Sequence, residues 1–472
     1  MLVAPALSAL TKKGTKLLGL IAVGASLVEL ISALVAVSAV AKNGSYHFTS
    51  YLALDYLGAI VMLIVAVVGF IASWYSVSYF QIEVSKKIIG FRRVREYFVL
   101  LHLFLLAMFF AITTTNPILM WVAIEATTLS TAFLISFYNK PSAMEAAWKY
   151  LIINSVGLLL GFFGTLLFMY PAVRLGYPGL ISWPVLMSSV SGFDPFVAKI
   201  AFIFVVIGYG TKVGLFPMHT WLPDAHSKAP VPLSSLLSGV LLNVAFLAIL
   251  RFKAIADVAI GAYFSRELLI FFGLLSILVA AFIIFIQKNY KRLLAYSSIE
   301  HMGIIALGFG FGGAGAFAAM LHMIYHSLAK SILFLSSGNI FLKYSSTKIA
   351  NVKGALGALP ITGILFIIGF LAITGIPPFG IFLTEFSILS AGILSHPIVT
   401  IAALTALALV FIGFLKHTAA MMFGEPGQDI NKGEFSKGTI MPIIILISIL
   451  VAISFFIPAT LKFLITAATA IY

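Results

Sequence analysis

Three ionisable side chains repeat at four-residue intervals in Leu321-His322-Met-Ile-Tyr-His326-Ser-Leu-Ala-Lys330. On a helix, positions four apart advance by about 40°, so these groups form one slowly turning polar stripe. Imidazoles pass protons near neutrality, and a buried lysine can join them. A His pair at this spacing also suits a metal, but no acidic or Cys ligand stands nearby and a lysine follows, so a proton relay fits better.

Other ionisable residues interrupt apolar runs in the same way. Lys212 lies deep in such a run, in Gly208-Tyr-Gly-Thr-Lys212-Val-Gly, and Pro217 follows five residues later to break the helix. Glu125 sits in Trp121-Val-Ala-Ile-Glu125-Ala-Thr-Thr, either as a structural carboxyl bonded to Thr127 or Thr128 or as a proton carrier. Glu385 follows Thr374-Gly-Ile-Pro377-Pro378-Phe-Gly380, where prolines and glycines must interrupt a long span. Lys149 follows Glu145 by four residues, the favourable helix ion-pair order, and reads equally as an interfacial pair or a relay member. Glu300 and His301 point about 100° apart on a helix, half toward a relay and half toward a loop. Glu29 and His102 stand alone on apolar runs, where a partner helix or a buried hydroxyl would meet them. A charge at bilayer depth costs about 2.5 kcal/mol or more, so each intramembrane ionisable group is a functional candidate.

The elements that hold these groups follow from composition. Of 472 residues, 61% are hydrophobic and 9% charged, with a net charge of +14 and no Cys. Soluble domains carry far more charge, so this is a membrane protein. Apolar runs near 17–41, 57–80, 97–115, 117–138, 148–172, 197–217, 230–253, 266–287, 292–312, 314–342, 358–395, 398–423 and 438–457 predict spanning helices. Met1–Leu10 is a stub too short to cross, and no signal-peptide pattern precedes the first full span. Alternating loops place most Lys and Arg on one side, among them Lys12, Lys13, Lys16, Lys86, Arg92, Lys140, Lys228 and Lys291, with Lys42, Arg174, Arg251 and Lys253 on the other. By the positive-inside rule the first side is cytoplasmic and both termini are outside. The basic surplus is then a topology signal, and no nucleic-acid partner is expected. Without thiolates the chain cannot hold an iron–sulfur cluster, so any redox chemistry belongs to a partner. The two broken spans, each with a charged residue close by, suggest a duplicated unit.

The stretch Lys212-Val-Gly-Leu-Phe-Pro-Met-His219-Thr-Trp-Leu-Pro-Asp224-Ala-His226-Ser-Lys-Ala-Pro230 resembles the seventh-helix signature of the antiporter-like subunits of respiratory complex I, multisubunit cation/proton antiporters and membrane-bound hydrogenases. Lys291-Arg-Leu-Leu-Ala-Tyr-Ser-Ser-Ile-Glu-His-Met-Gly303 is similar to the tenth-helix segment of that family. The stretches Ala147-Trp-Lys-Tyr150, Leu237-Ser-Gly-Val-Leu-Leu-Asn243-Val-Ala245 and Pro377-Pro-Phe-Gly-Ile-Phe-Leu-Thr-Glu385 look most like the F subunit of hydrogenase-4-type formate hydrogenlyases. An acid at Glu385 also resembles the M-type subunits of complex I, where other branches carry lysine.

The resemblance implies an all-α polytopic membrane fold of about fourteen helices, the first one short, with two inverted five-helix repeats and two broken helices. The implied division is N-terminal helices over 1–96, a first repeat over 97–253, a second over 266–423, and a C-terminal helix and tail over 424–472. It implies a relay through Glu125, Lys212, His322, His326, Lys330 and Glu385, with Lys149, His219, His226, Ser238, Asn243, Glu300 and His301 as secondary members. Ser238 or Asn243 stands where other branches place a His or Lys, and neither carries a proton charge. The function implied is translocation of protons, with sodium as the other candidate ion, coupled to redox chemistry in a hydrogenase or complex I-like partner. The chain itself would hold no cofactor or metal, and its iron–sulfur and nickel–iron centres would sit in partner subunits. Other membrane-arm subunits, a peripheral oxidoreductase arm and the plasma-membrane bilayer of a prokaryote are the implied surroundings. The alternatives are a subunit of a multisubunit antiporter without a redox partner, a stand-alone secondary transporter, and a purely structural anchor.

Overall fold

The computed structural model describes residues 3–11, 14–177 and 181–472. Among these, twelve helices are long and apolar enough to cross a bilayer, and Pro360–Ile373, Gly380–Gly392 and Ala459–Thr469 are shorter apolar helices. The all-α polytopic architecture expected from the apolar runs is the one observed. The expected stub is a short helix, Val3–Leu10, although Met1 and Leu2 lie outside the described residues, as do Lys12 and Lys13. Two elements correct the sequence reading. A two-stranded antiparallel hairpin, Tyr46–Thr49 with Leu52–Leu54, fills the first loop. After Pro458 the chain forms a further helix, Ala459–Thr469, where the sequence suggested only a tail.

Helix starts follow from local chemistry. Asp55, Asn116, Asp194 and Asn289 accept the first free amides of helices Tyr56–Ser85, Pro117–Ile135, Pro195–Val213 and Tyr290–Phe311. Those amides have no partner inside the helix, so a side-chain oxygen satisfies them. Asp55 is further clamped by Arg251, whose Nη1 and Nη2 donate to its two carboxylate oxygens at 2.7 and 3.0 Å.

Helices Val231–Ile260, Tyr290–Phe311 and Ala314–Tyr344 form the centre, with the apolar stretches of all three wholly buried. By contrast, the stretches of Thr15–Asn43 and Pro397–Met422 leave most of their residues at the surface. Position decides composition here. A helix with no lipid-facing side can carry serine, asparagine, histidine and lysine toward its neighbours, and Tyr290–Phe311 and Ala314–Tyr344 do so.

Helix Pro141–Arg174 packs on Pro195–Val213 along a glycine seam. A Cβ on Gly208 would run into the backbone of Gly161, and one on Gly157 would lie 2.5 Å from Thr211. Small residues at such a seam let backbones touch, which is a principal way membrane helices associate. Gly273 and Gly303 make a second close approach, each meeting the carbonyl of the other, between Ala262–Ile286 and Tyr290–Phe311.

Both broken helices are present. Pro195–Val213 ends on Gly214 in the left-handed region at φ 85, passes a turn at Met218–Thr220 and resumes as Trp221–Lys228. The second break runs between Pro360–Ile373 and Gly380–Gly392, with Gly375 at φ 64. Side chains recover the freed backbone groups. Trp221 Nε1 donates to the Thr211 carbonyl at 2.8 Å, Phe216 N donates to Ser276 Oγ at 3.0 Å, and Gly380 N donates to Ser454 Oγ at 2.9 Å. Interrupted helices are stable at this depth only when their polar groups are met in this way.

Candidate functional site

The first break holds Lys212 at its lip, in the last turn before Gly214. Its side chain is fully buried, and its ammonium donates to Thr128 Oγ1 at 2.8 Å and to Tyr150 Oη at 2.7 Å. Thr128 passes the chain on, donating to Glu125 Oε2 at 3.2 Å, while Ser155 donates to Glu125 Oε1 at 2.7 Å. Lys212 and Glu125 are therefore joined through a hydroxyl. Of the two threonines considered beside Glu125, Thr128 makes the contact, since Thr127 spends its hydroxyl on the Ile124 carbonyl. Glu125 itself is only half-buried, so this cluster runs from the protein interior to its flank.

Tyr150 is a site residue that the sequence reading did not single out. Its hydroxyl lies 2.6 Å from Thr131 Oγ1, and Thr131 in turn donates to the Thr127 carbonyl, so the phenol proton points at Thr131 and its lone pairs face Lys212. A signal was available in Ala147-Trp-Lys-Tyr150: Lys149 drew attention, and Tyr150 is about 100° further round the same helix. Lys149 lies on the other side, half-exposed, pairing with Glu145 at 2.6 Å and Asp224 at 3.6 Å. Arg292 also bonds Asp224, so Lys149 belongs to a surface ion network.

The central helices carry the next groups. Ser238 Oγ is 2.6 Å from Ser298 Oγ, and Asn243 Nδ2 donates to Ser327 Oγ at 2.7 Å. Ser238 lies in a widened π-helical turn, Leu237–Leu241, and such turns recur at functional sites. Lys330 donates to the Leu294 carbonyl at 2.8 Å and to Ser297 Oγ at 2.7 Å. Gly214 packs near Ile299, which brings the lip of the first break against the helix that carries Ser297, Ser298, Glu300 and His301.

Glu300 and His301 are both buried inside the molecule, so the half-loop role expected of them does not hold. Their helix is wholly enclosed. His301 Nδ1 is 2.9 Å from His322 Nε2, and His322 Nδ1 is 2.8 Å from Thr384 Oγ1. His326 packs near His301 with ring centroids 5.1 Å apart, and neither of its nitrogens has a hydrogen-bond partner among the described residues. Glu385 lies next to this pair. Its carboxylate folds over Gly375 so closely that any Cβ there would collide with it. Like Glu125, Glu385 is only half-buried and reaches the flank.

The remaining candidates are scattered around this line. His219 lies in the turn of the first break, with its ring 5.5 Å from that of Phe216. His226 is fully buried against Phe334, and neither ring nitrogen has a protein partner. His102 is buried against its neighbours, and of the partner helix or buried hydroxyl expected for it, no hydroxyl meets it among the described residues. Lys291 and Lys253 were assigned to loops, and both are buried: Lys291 donates to the Ala229 carbonyl at 2.7 Å and Lys253 to Asp257 at 2.5 Å. Each lies inside a helix and turns inward, so a loop count overstates the exposed charge. Glu83 also escaped notice. It accepts from Tyr138 Oη at 2.7 Å beside a recess of about 150 Å³ lined by Tyr79, Tyr138, Lys228 and Lys291.

The sequence reading set metal binding aside because no acidic ligand stands near His322 and His326 in the chain. The fold supplies one from elsewhere: a ligand atom of Glu385 comes within 4.8 Å of ligand atoms of both His301 and His322.

Comparison with known proteins agrees with this architecture. The family described as NADH:quinone oxidoreductase/Mrp antiporter, TM, matches residues 114–413. A hydrogenase-4 component F homolog of Methylacidiphilum infernorum is 40% identical over 383 residues, covering 80% of this chain and 80% of that protein. NADH-quinone oxidoreductase subunit M of Rickettsia felis is 28% identical over 338 residues, covering 70% of this chain and 66% of that protein. Among solved structures, a chain of the archaeal membrane-bound sulfane sulfur reductase superposes with a TM-score of 0.86 at 23% identity, over 100% of this chain and 94% of that one. A chain of the Mrp complex from Dietzia sp. also gives 0.86 at 18% identity, over 100% and 95%.

Proposed function

The chain belongs to the NADH:quinone oxidoreductase/Mrp antiporter transmembrane family, and from that premise we propose that it moves protons across the membrane as a non-redox subunit of a hydrogenase or complex I-like assembly. One observation carries the residue-level reading. A file of polar groups begins at a half-buried carboxylate, Glu125, and ends at another, Glu385, with Lys212, Lys330 and the histidines enclosed between them in separate hydrogen-bonded segments.

In this mechanism the Lys212 ammonium is held by two oxygen acceptors and supported, through Thr128, by the negative charge of Glu125. The two charges attract one another at this range. When redox chemistry in a partner draws the Glu125 charge away or neutralises it, Lys212 loses that support and gives up its proton. The proton passes over the Ser238–Ser298 pair to Lys330 and the histidines, and leaves at Glu385. The step from Lys212 to the serines runs over water, since no charged side chain bridges it. Glu300, three residues beyond the Ser297 that holds Lys330, gives the second lysine a nearby carboxylate as Glu125 does the first. This parallel supports a division into two repeats over 97–253 and 266–423. Uptake runs from the recess beside Lys228 and Lys291, the side proposed to be cytoplasmic, and both termini lie on the outer side of a prokaryotic plasma membrane. The nickel–iron and iron–sulfur centres belong to partner subunits, since this chain has no Cys to ligate a cluster.

The test uses the whole complex in sealed vesicles. Lys212→Ala and Glu125→Ala should each abolish coupled proton uptake while partner electron transfer continues. Wild-type pumping in both variants would sink the relay. Pumping that survives without any redox substrate would instead favour an antiporter acting without a redox partner.

A further inference from the structure

The cluster at the second break, besides its place at the end of the proposed proton path, presents a ligand set for a cation. His301, His322 and Glu385 each offer one ligand atom, all within 4.8 Å of one another, with both histidines buried. Two imidazoles and one carboxylate are the donors of zinc sites that keep an open fourth position.

The hydrogen bonds around this set are ordered as a metal would need them. Thr384 spends its own proton on the Ile381 carbonyl at 2.9 Å, so its oxygen accepts from His322 Nδ1 and leaves the lone pair of His322 Nε2 facing His301. In the tautomer that follows from this bond, His301 Nδ1 holds the proton in the 2.9 Å contact and His301 Nε2 has none. That nitrogen is buried with no partner, and so is Glu300 Oε2, 3.6 Å away. Two acceptors confront each other there, and neither is satisfied. If a cation replaces the proton between the two rings, the His301 proton moves to Nε2 and can be donated to Glu300. A carboxylate–histidine–metal arrangement results, the usual outer support of a metal-bound imidazole. The Glu385 carboxylate has to close on the two rings from within 4.8 Å. A tetrahedral ion with bonds of about 2.0–2.1 Å to nitrogen holds its ligand atoms about 3.3 Å apart.

We propose that His301, His322 and Glu385 bind one divalent cation of the zinc class, with Thr384 and Glu300 as the groups that orient the two imidazoles. Binding itself rests on geometry alone; its consequence, arrest of ion translocation by occupation of the last three groups, rests on the function proposed above.

The experiment titrates the purified intact complex with Co2+, read by its visible absorption, and with Zn2+, read by competition with a chromophoric chelator. One equivalent of low-coordinate Co2+ displaced by Zn2+ is expected. His322→Ala should abolish it, Glu385→Gln should weaken Zn2+ at least tenfold, and Glu300→Gln should weaken it about 10–100-fold as an outer-ligand change. His396→Gln, which alters the separate His396–Glu267 pair, should leave it unchanged. Unchanged affinity in both Glu385→Gln and Glu300→Gln, or loss in His396→Gln, overturns the site. Should His322→Ala fail to fold, the two near-isosteric Gln variants still decide. Zinc that binds with the expected dependence but leaves proton pumping untouched refutes the proposed exit path and leaves the site standing.

Discussion

The Lys212 ammonium donates to the Tyr150 hydroxyl across 2.7 Å, so a phenol stands where a carboxylate partner would be expected. Hydrogen bonds to charged groups contribute about 1.5–3 kcal/mol, and about 1.4 kcal/mol is tenfold in an equilibrium. Tyr150→Phe should therefore cut coupled proton uptake by about tenfold or more with partner electron transfer intact. Dye-reported acidification of vesicles during steady turnover measures it, and an unchanged rate counts against Tyr150 as a partner of Lys212.

Thr128 makes a sharper separation possible. Thr128→Val keeps the shape and deletes the hydroxyl that links Lys212 to Glu125, whereas Thr128→Ser keeps the hydroxyl. Pumping should fall by about tenfold in the first, on the same hydrogen-bond scale, and stay near wild type in the second. Equal effects in the two variants would mean that packing, not the bridge, is being measured.

At the other end, Glu385→Gln should slow proton release more than uptake. Gly375→Ala should produce the same asymmetry without changing any charge, because its Cβ would displace the carboxylate lying over that position. Single-turnover traces with pH dyes on each side of the vesicle separate the two steps. Uptake and release slowed equally in Glu385→Gln would remove it from the exit.

Asp55 gives a prediction about pH. Burial pushes its carboxyl up, but the charge and hydrogen bonds of Arg251, with the Gly58 amide, outweigh this and hold it below its ordinary value. A carboxyl lowered in the folded state stabilises the protein above its unfolded pKa, about 3.9, and that contribution is lost as pH falls through the folded value. Asp55→Asn should melt below wild type at neutral pH, and the gap should narrow only below about pH 4. A gap that is flat down to acid denaturation would show that the charge of Asp55 does not matter.

The glycine seam predicts stability rather than transport. Gly208→Ala forces a Cβ into the Gly161 backbone and should cost about 1–3 kcal/mol, the usual range for overpacking. Gly24→Ala, in open space on a helix, should be neutral or slightly stabilising. Thermal unfolding in detergent compares them, and equal melting temperatures would show that the seam can yield.

Much of this was legible in the sequence because bilayers punish exceptions. Spans such as 57–80 and 314–342 lie within the observed helices Tyr56–Ser85 and Ala314–Tyr344, and the prolines at 217 and 377–378 mark both breaks. Lys212 and Glu125 stood out for the same reason. What stayed hidden depends on tertiary distance or on small angles. Tyr150 differs from Lys149 by one position, yet one faces Lys212 and the other faces Asp224. Glu385 approaches His301 only after two helices have folded together. The π turn around Ser238 leaves no mark in composition, and the hairpin at Tyr46–Leu54 is too short for a period-two pattern to register.

The contact between Gly161 and Gly208 bears on what can move. Lys212 is one turn beyond Gly208, so the lysine is mounted on a helix whose neighbour touches it backbone to backbone. Sliding or tilting there would have to break that contact before the ammonium shifted at all. Any displacement of the ammonium is thus reduced to torsions of one flexible side chain, working like a lever arm on a fixed pivot.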